Sequence, residues 1–295
     1  MEDLLPGFEA SASGPRLHLP DVTLICVDTA YPDMALRAVR HCMRLVDFGA
    51  SVLITRPDHQ LTGTPPGLAL ETTDAIHSVA DYSRFVLREL TPYVRTSHCL
   101  IVQWDGFIVD TSFWRPQFLE FDYIGAVLPR NPPGYRVGNG GFSLRSRRLL
   151  SALLDPGITR THPEDKHLAL TYRDLLEQRH GIRFADEATA RLFSVETARS
   201  RTPTFGLHGL HAVHWLLQPE QFRAFIAGMP QRLFRGAGSR QLLQEAMARG
   251  EGDLALEVMR NRRRYRKHFW SGLDLWLPVW WVWLRTRLRA RHQAR

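Results

Sequence analysis

Six consecutive residues, Val22 to Val27, form a run with Thr23 as its one polar member. A strand without a polar face is buried on both sides, the habit of parallel sheets covered by helices. Pro32 then opens a helical pattern, with Leu36, Val39, Met43 and Val46 on one face and Gly49 as its expected stop. Ser51 to Thr55 is a second apolar run. Strand, helix and strand in that order predict parallel pairing through a right-handed crossover. Further strands are expected at His98–Gln103, Phe121–Leu128 and Gly141–Leu144, with a short one at Ile182–Ala185. Helices are expected over Ser78–Leu90 and Glu164–Gln178, and Leu61–Gly67 reads as a loop. The pattern predicts an α/β domain over residues 21–225, preceded by a tail over 1–20. Glycines and prolines in Gln221–Ser239 mark its end, and a helical extension rich in arginine and tryptophan fills 226–295.

Charge separates the two parts. From Arg260 onward there are 11 Arg or Lys against Asp274 alone, so this segment carries +10 and the residues before it sum to −2. A nucleic-acid-binding core would carry its own basic face, and this one does not. Cys26, Cys42 and Cys99 form no Cys-x-x-Cys pattern, which fits a reducing, cytoplasmic setting, and no secretory signal is expected at the N-terminus. Five of the eight tryptophans fall within His268–Leu284. With Asp274 and Pro278 inside it, that segment suits an interfacial helix at an anionic inner-membrane surface better than a span. The alternative is a helix packed on the main domain.

Several short segments carry residues with chemistry. Ile101–Val102–Gln103–Trp104–Asp105–Gly106 is an apolar strand ending in an acid. Ligands gather at the carboxyl ends of parallel strands, so Asp105 is a candidate ligand for a divalent metal, with Asp110 a second; the alternative is a turn acid. Gly106 beside it would leave room for a diphosphate. Asn139, Gly140 and Gly141 are nearly side-chain-free at a strand entrance, which suits either a close-contact surface or a β-turn. Glu164 and Asp165 stand where a helix begins, as a general base and its neighbour or as helix-terminal acids. His208 lies between two Gly-Leu pairs, with His211 and His214 at three-residue spacing. Imidazole is a common metal ligand, which makes His208 a candidate; the alternative is a core or surface histidine. Asp28 and Arg56 follow the first two strands and are candidates for contact with a nucleotide; the alternative is that both are plain loop residues.

Taken together, these segments resemble the active-site order of GT-A glycosyltransferases. The run from Leu24 to about Trp215 also resembles a bacterial domain-of-unknown-function family, numbered 5672 and regarded as glycosyltransferase-like. The matching segments are Val102–Phe107, Phe121–Ala126, Gly138–Arg145, His162–Asp165 and Phe205–Gly209. The resemblance implies a GT-A-like mixed sheet flanked by helices, a nucleotide-sugar donor, a glycan or lipid-linked acceptor and a Mn²⁺ or Mg²⁺ ion. It implies Asp105 and His208 as metal ligands, Asp165 as base beside Glu164, and Asp28, Arg56, Gly106, Asn139, Gly140 and Gly141 around donor and acceptor. The family's Asp-x-Asp is here Gln103–Trp104–Asp105. That departure leaves room for a catalytically silent nucleotide-sugar-binding scaffold of polysaccharide assembly. A nucleotidyltransferase shares the sheet and the need for metal.

Overall fold

A computed structural model describes residues 16–196, 203–217, 219–263 and 273–293. Residues 1–15 of the expected N-terminal tail, and Phe269 and Trp270 of the aromatic segment, lie outside these. The strands are β1 (Leu17–Val27), β2 (Val46–Thr55), β3 (Leu68–Thr72), β4 (His98–Val102), β5 (Gly106–Ile108) and β6 (Tyr123–Ile124). They continue with β7 (Ala126–Val127), β8 (Val137–Gly138), β9 (Ser143–Ser146), β10 (Ser194–Val195) and β11 (Gly206–His208). The helices are α1 (Pro32–Leu45), α2 (Val79–Arg88), α3 (Arg147–Ala152), α4 (Glu164–Lys166), α5 (Arg173–His180) and α6 (Glu187–Phe193). After them come α7 (Leu210–Leu216), α8 (Pro219–Ala227), α9 (Ala237–Ala248), α10 (Gly252–Arg263) and α11 (Leu273–Gln293). The chain divides into two compact units between Ala212 and Val213.

In the first unit a six-stranded mixed sheet runs β3-β2-β1-β4-β9-β6. The pairs β1–β2, β2–β3 and β1–β4 are parallel, while β9 lies antiparallel to both β4 and β6. Residues 22–27 of β1 are fully or almost fully buried, as their composition requires. Successive strands step outward from β1 to β3, and the chain then returns to the other side of β1 with β4. This makes a topological switch point between β1 and β4, the place where open α/β sheets bind ligands beyond the carboxyl ends of their strands. Helix α1 presents Leu36, Val39 and Cys42 to the core. Pro32 stands in its first turn, and Asp28 Oδ1 accepts the N–H groups of Ala30 and Tyr31 at its entrance. In α2, Ser78 Oγ accepts Asp81 N–H while the Asp81 carboxylate accepts from Ser78 and His77, a reciprocal cap.

The structure departs from the sequence reading in several places. Gly49 does not stop a helix. The chain passes from Leu45 directly into β2, with no loop to mark the change. Gly49 lies beside the register break in β1, where a Cβ would come within 2.0 Å of the Pro20 carbonyl oxygen. Phe121–Leu128 is two short strands in different sheets, divided at Gly125, where a Cβ would lie 1.8 Å from the Gly138 oxygen. The expected helix over Glu164–Gln178 contains a π-helical turn, His167–Thr171, between α4 and α5. Ile182–Ala185 makes a single bridge, Phe184 to Tyr123.

The second unit is helical, with Phe222, Phe225, Phe234, Leu242, Leu243 and Val258 in its core. Buried Arg262 donates to the carbonyls of Phe234 and Gly236 at 3.1 and 2.9 Å. His214 pairs with Glu251 at 2.6 Å. Pro278 does not interrupt the last helix. It lies in the second turn of α11, where losing one N–H removes a single bond near the helix end.

Candidate active site

The site forms at the carboxyl edge of the main sheet. Parallel pairing brings Asp28 after β1, Arg56 after β2 and Gln103–Asp105 after β4 to that edge. Antiparallel β9 places its amino end there too, since Ser143 pairs with Ile101. Asn139, Gly140 and Gly141 therefore enter the same edge, in the turn before the strand rather than within it.

Asp105 sits at the tip of a tight hairpin. Gln103 and Gly106 exchange backbone bonds of 2.9 and 3.0 Å, leaving Trp104 and Asp105 as the two-residue loop. A second sheet, β10-β11-β5, builds outward from this hairpin. Its register sets His208 opposite Gly106. Ser194 and Val195 pair with Gly206 and Leu207, which carries Glu196 next to His208. Backbone pairing thus gathers an acid, an imidazole and a second acid from three distant segments. His208 Nε2 stands 3.8 Å from Asp105 Oδ1, and Nδ1 stands 3.6 Å from Glu196 Oε1.

Amide side chains fix the ring. Gln103 Nε2 donates to Tyr82 Oη at 2.8 Å, which turns Gln103 Oε1 toward His208 Nε2 at 3.2 Å. Asn139 Oδ1 accepts Gly141 N–H at 2.7 Å, which turns its Nδ2 toward His208 Nδ1 at 3.1 Å. Asn139 is buried with φ 80°, a left-handed conformation that few residues other than glycine and asparagine accept. Its carbonyl accepts from Tyr123 Oη at 2.7 Å.

The electrostatics follow from burial and neighbours. Burial pushes the Asp105 carboxyl upward, and His208 partly offsets this. For His208, burial works to lower the pKa. The hydrogen bond to Glu196 and the charges of Asp105, Glu196 and Glu164 outweigh it, raising the value to about 9. Nε2 faces Gln103 Oε1 and Asp105, while Nδ1 faces both the Asn139 amide and the Glu196 carboxylate. Among the described residues, no three His, Cys, Asp or Glu side chains converge as a cation site. Asp105 and His208 offer an oxygen and a nitrogen at a spacing one cation can bridge, and Gln103 Oε1 adds a neutral oxygen. With the His208 nitrogen deprotonated, these donors would fit a divalent cation such as Mn²⁺ or Mg²⁺.

The glycines serve the network itself. A Cβ on Gly141 would lie 2.0 Å from His208 Nε2, and one on Gly106 would lie 2.6 Å from the Gly141 oxygen. A Cβ on Gly140 would meet Glu164 Oε1 at 1.9 Å. Space that the sequence reading gave to a diphosphate or sugar is occupied at these points by His208 and Glu164. Glu164 is buried and pairs at 2.8 Å with fully buried Arg145, whose Nε donates to Ser143 Oγ. Asp165 is half-buried, and its Oδ1 accepts the adjacent Lys166 N–H at 2.7 Å. Their segment is tied to α2 through His162 Nδ1 and Ser83 Oγ, 2.9 Å apart. Burial pushes the thiol of Cys26 well upward, and the charges of Asp28, Cys42 and Asp105 add to this. Arg56 pairs with Asp58 at 3.1 Å. His211 and His214 are on α7, and His214 is committed to Glu251. A cavity of about 1060 Å³ beside α1 and the opposite end of β2 is lined by Arg37, Arg40, Arg44 and Gly49 and shares no residue with this cluster.

Residues 69–208 match the family described as "Protein of unknown function (DUF5672)". The matched segment contains Tyr82, Gln103, Asp105, Asn139, Glu164, Asp165 and Glu196, and it ends at His208. Asp28 and Arg56 lie outside it. No curated protein matches the sequence. One solved structure similar to this chain is a glycosyltransferase involved in the glycosylation of the major capsid of PBCV-1. It has 10% identity and a TM-score of 0.40, over 70% of this chain and 98% of that one.

Tyr82, Gln103 and Glu196 are site residues that the sequence reading did not assign. Gln103 had a signal, since it holds the place of the missing acid. Glu196 had none, because only the β10–β11 register brings it to His208.

Proposed function

We propose that this protein is a glycosyltransferase that takes a sugar from a nucleotide-sugar donor and passes it to a hydroxyl of a glycan or lipid-linked acceptor. The observation that carries this reading is the Asp105–His208–Gln103 cluster at the switch point between β1 and β4. Asp28 and Arg56 flank the nucleotide end of this edge of the sheet. Asp105 and His208, with Gln103 as a neutral oxygen donor, would hold a Mn²⁺ or Mg²⁺ ion, which neutralises diphosphate charge when bound. In an inverting transfer Asp165 takes the acceptor proton as that oxygen bonds to the anomeric carbon, and the bond from that carbon to the donor phosphate breaks. Glu164 is the counter-ion of Arg145 and holds the Asp165 segment in place.

The test is incubation of the full chain with a panel of nucleotide sugars, Mn²⁺ and a panel of glycan and lipid-linked acceptors, reading the released product. Release of a nucleoside diphosphate supports transfer. Binding without any product favours the silent scaffold. Formation of sugar 1-phosphate and nucleoside triphosphate on adding pyrophosphate identifies a nucleotidyltransferase.

A further inference from the structure

Helix α11 is anchored along one face. Val279 is buried, Trp283 Nε1 donates to Asp253 at 2.9 Å, and Thr286 Oγ1 donates to the Gly250 carbonyl at 2.9 Å. A Cβ on Gly252 would come within 2.5 Å of the Trp283 backbone, so α10 begins directly against α11. The opposite face carries Leu277, Trp281, Leu284 and Leu288, which are 71%, 65%, 44% and 49% exposed. Their spacing of four, three and four residues makes one continuous stripe, roughly 17 Å long at 1.5 Å per residue. Trp280, also exposed, borders it. Exposed Arg285 and Arg287 stand on opposite sides of the stripe, and Arg287 also pairs with Asp253.

An outward apolar stripe between two arginines inverts the usual layout of a helix on a globular unit, which turns its apolar side inward. Exposed tryptophan and leucine can be covered by lipid or by protein, but the flanking charge selects the partner. The segment from Arg260 carries +10, which an anionic surface neutralises and a second copy of the same cationic helix would oppose. Among the described residues no helix is long and apolar enough to cross a membrane. A helix with this face lies in the plane of the interface, with indole rings at the headgroup level and arginines beside phosphate.

We infer that the Leu277–Trp281–Leu284–Leu288 face of α11 docks on an anionic phospholipid bilayer. This goes beyond the transferase reading and does not depend on it. The test uses the full chain and vesicles of phosphatidylcholine, with and without phosphatidylglycerol. The wild-type chain floats with the anionic vesicles at low salt, its tryptophan emission shifts to the blue, and brominated lipid quenches it. Trp281→Ser with Leu284→Ser removes the binding while the melting temperature holds, since both side chains are exposed. Arg285→Ser weakens binding to anionic vesicles about fivefold and leaves neutral vesicles unaffected. Three results would overturn the inference: no flotation of the wild-type chain at low salt, full flotation of the double serine variant, or self-association that the double serine variant abolishes in the absence of any vesicle binding. Lipid quenching of the wild-type chain decides the matter if that variant fails to fold.

Discussion

Glu164 and Asp165 are neighbours with different duties. Glu164 fills the space that Gly140 leaves and balances the fully buried Arg145. Glu164→Gln strands that guanidinium and should cost about 3–5 kcal/mol of stability, measured by chemical denaturation. Asp165 is half-buried and has no such cationic partner among the described residues. Asp165→Asn should leave stability nearly unchanged and keep donor binding while lowering turnover roughly 10²- to 10⁴-fold. Near-normal turnover in that variant would remove Asp165 from the chemistry. The sequence displayed both acids at a helix start, but nothing local distinguished them. Their difference comes from Arg145, nineteen residues upstream of Glu164. Asn139 was legible as a turn residue. Its work on His208 was not, since that bond joins residues 69 apart in the chain.

At the scale of elements, continuous apolar runs identified β1, β2 and β4, because strands buried on both faces need no alternation. The second sheet was invisible for the opposite reason. β5, β10 and β11 are two or three residues long, too short for any periodicity, and exist through pairing with one another. Helix α5 shows how local chemistry fixes an element end. Gly181 closes it in a left-handed conformation at φ 62°. Asp155 accepts from Gly157 N–H, His180 Nε2 and Arg179 at 2.7, 2.8 and 3.1 Å. The Gly157 bond, followed by those of His180 and Arg179, pulls its pKa from 3.8 to about 2. A carboxylate depressed on folding stabilises above its ordinary value and loses that contribution as pH falls through the folded one. Asp155→Asn should therefore be less stable than wild type near neutrality. The gap should close as pH falls from 3.8 toward 2, followed by denaturant midpoints across that range. A gap that stays constant over the same range would contradict the assignment.

For the whole molecule, the order β3-β2-β1-β4 creates one switch point at the carboxyl edge of the sheet, and the second sheet delivers His208 and Glu196 to it. Sugar transfer requires that this edge of the sheet hold a nucleotide sugar through a divalent cation. The most direct measurement is thermal stability of the wild-type chain and of Asp105→Asn with a nucleotide-sugar panel, with and without Mn²⁺. A true donor at about 100 times its dissociation constant should add about 2.7 kcal/mol of stability. That gain should appear in the wild-type chain only when Mn²⁺ is present, and should be lost in Asp105→Asn. A gain of equal size in Asp105→Asn, or none from any nucleotide sugar in the wild-type chain, would contradict this requirement.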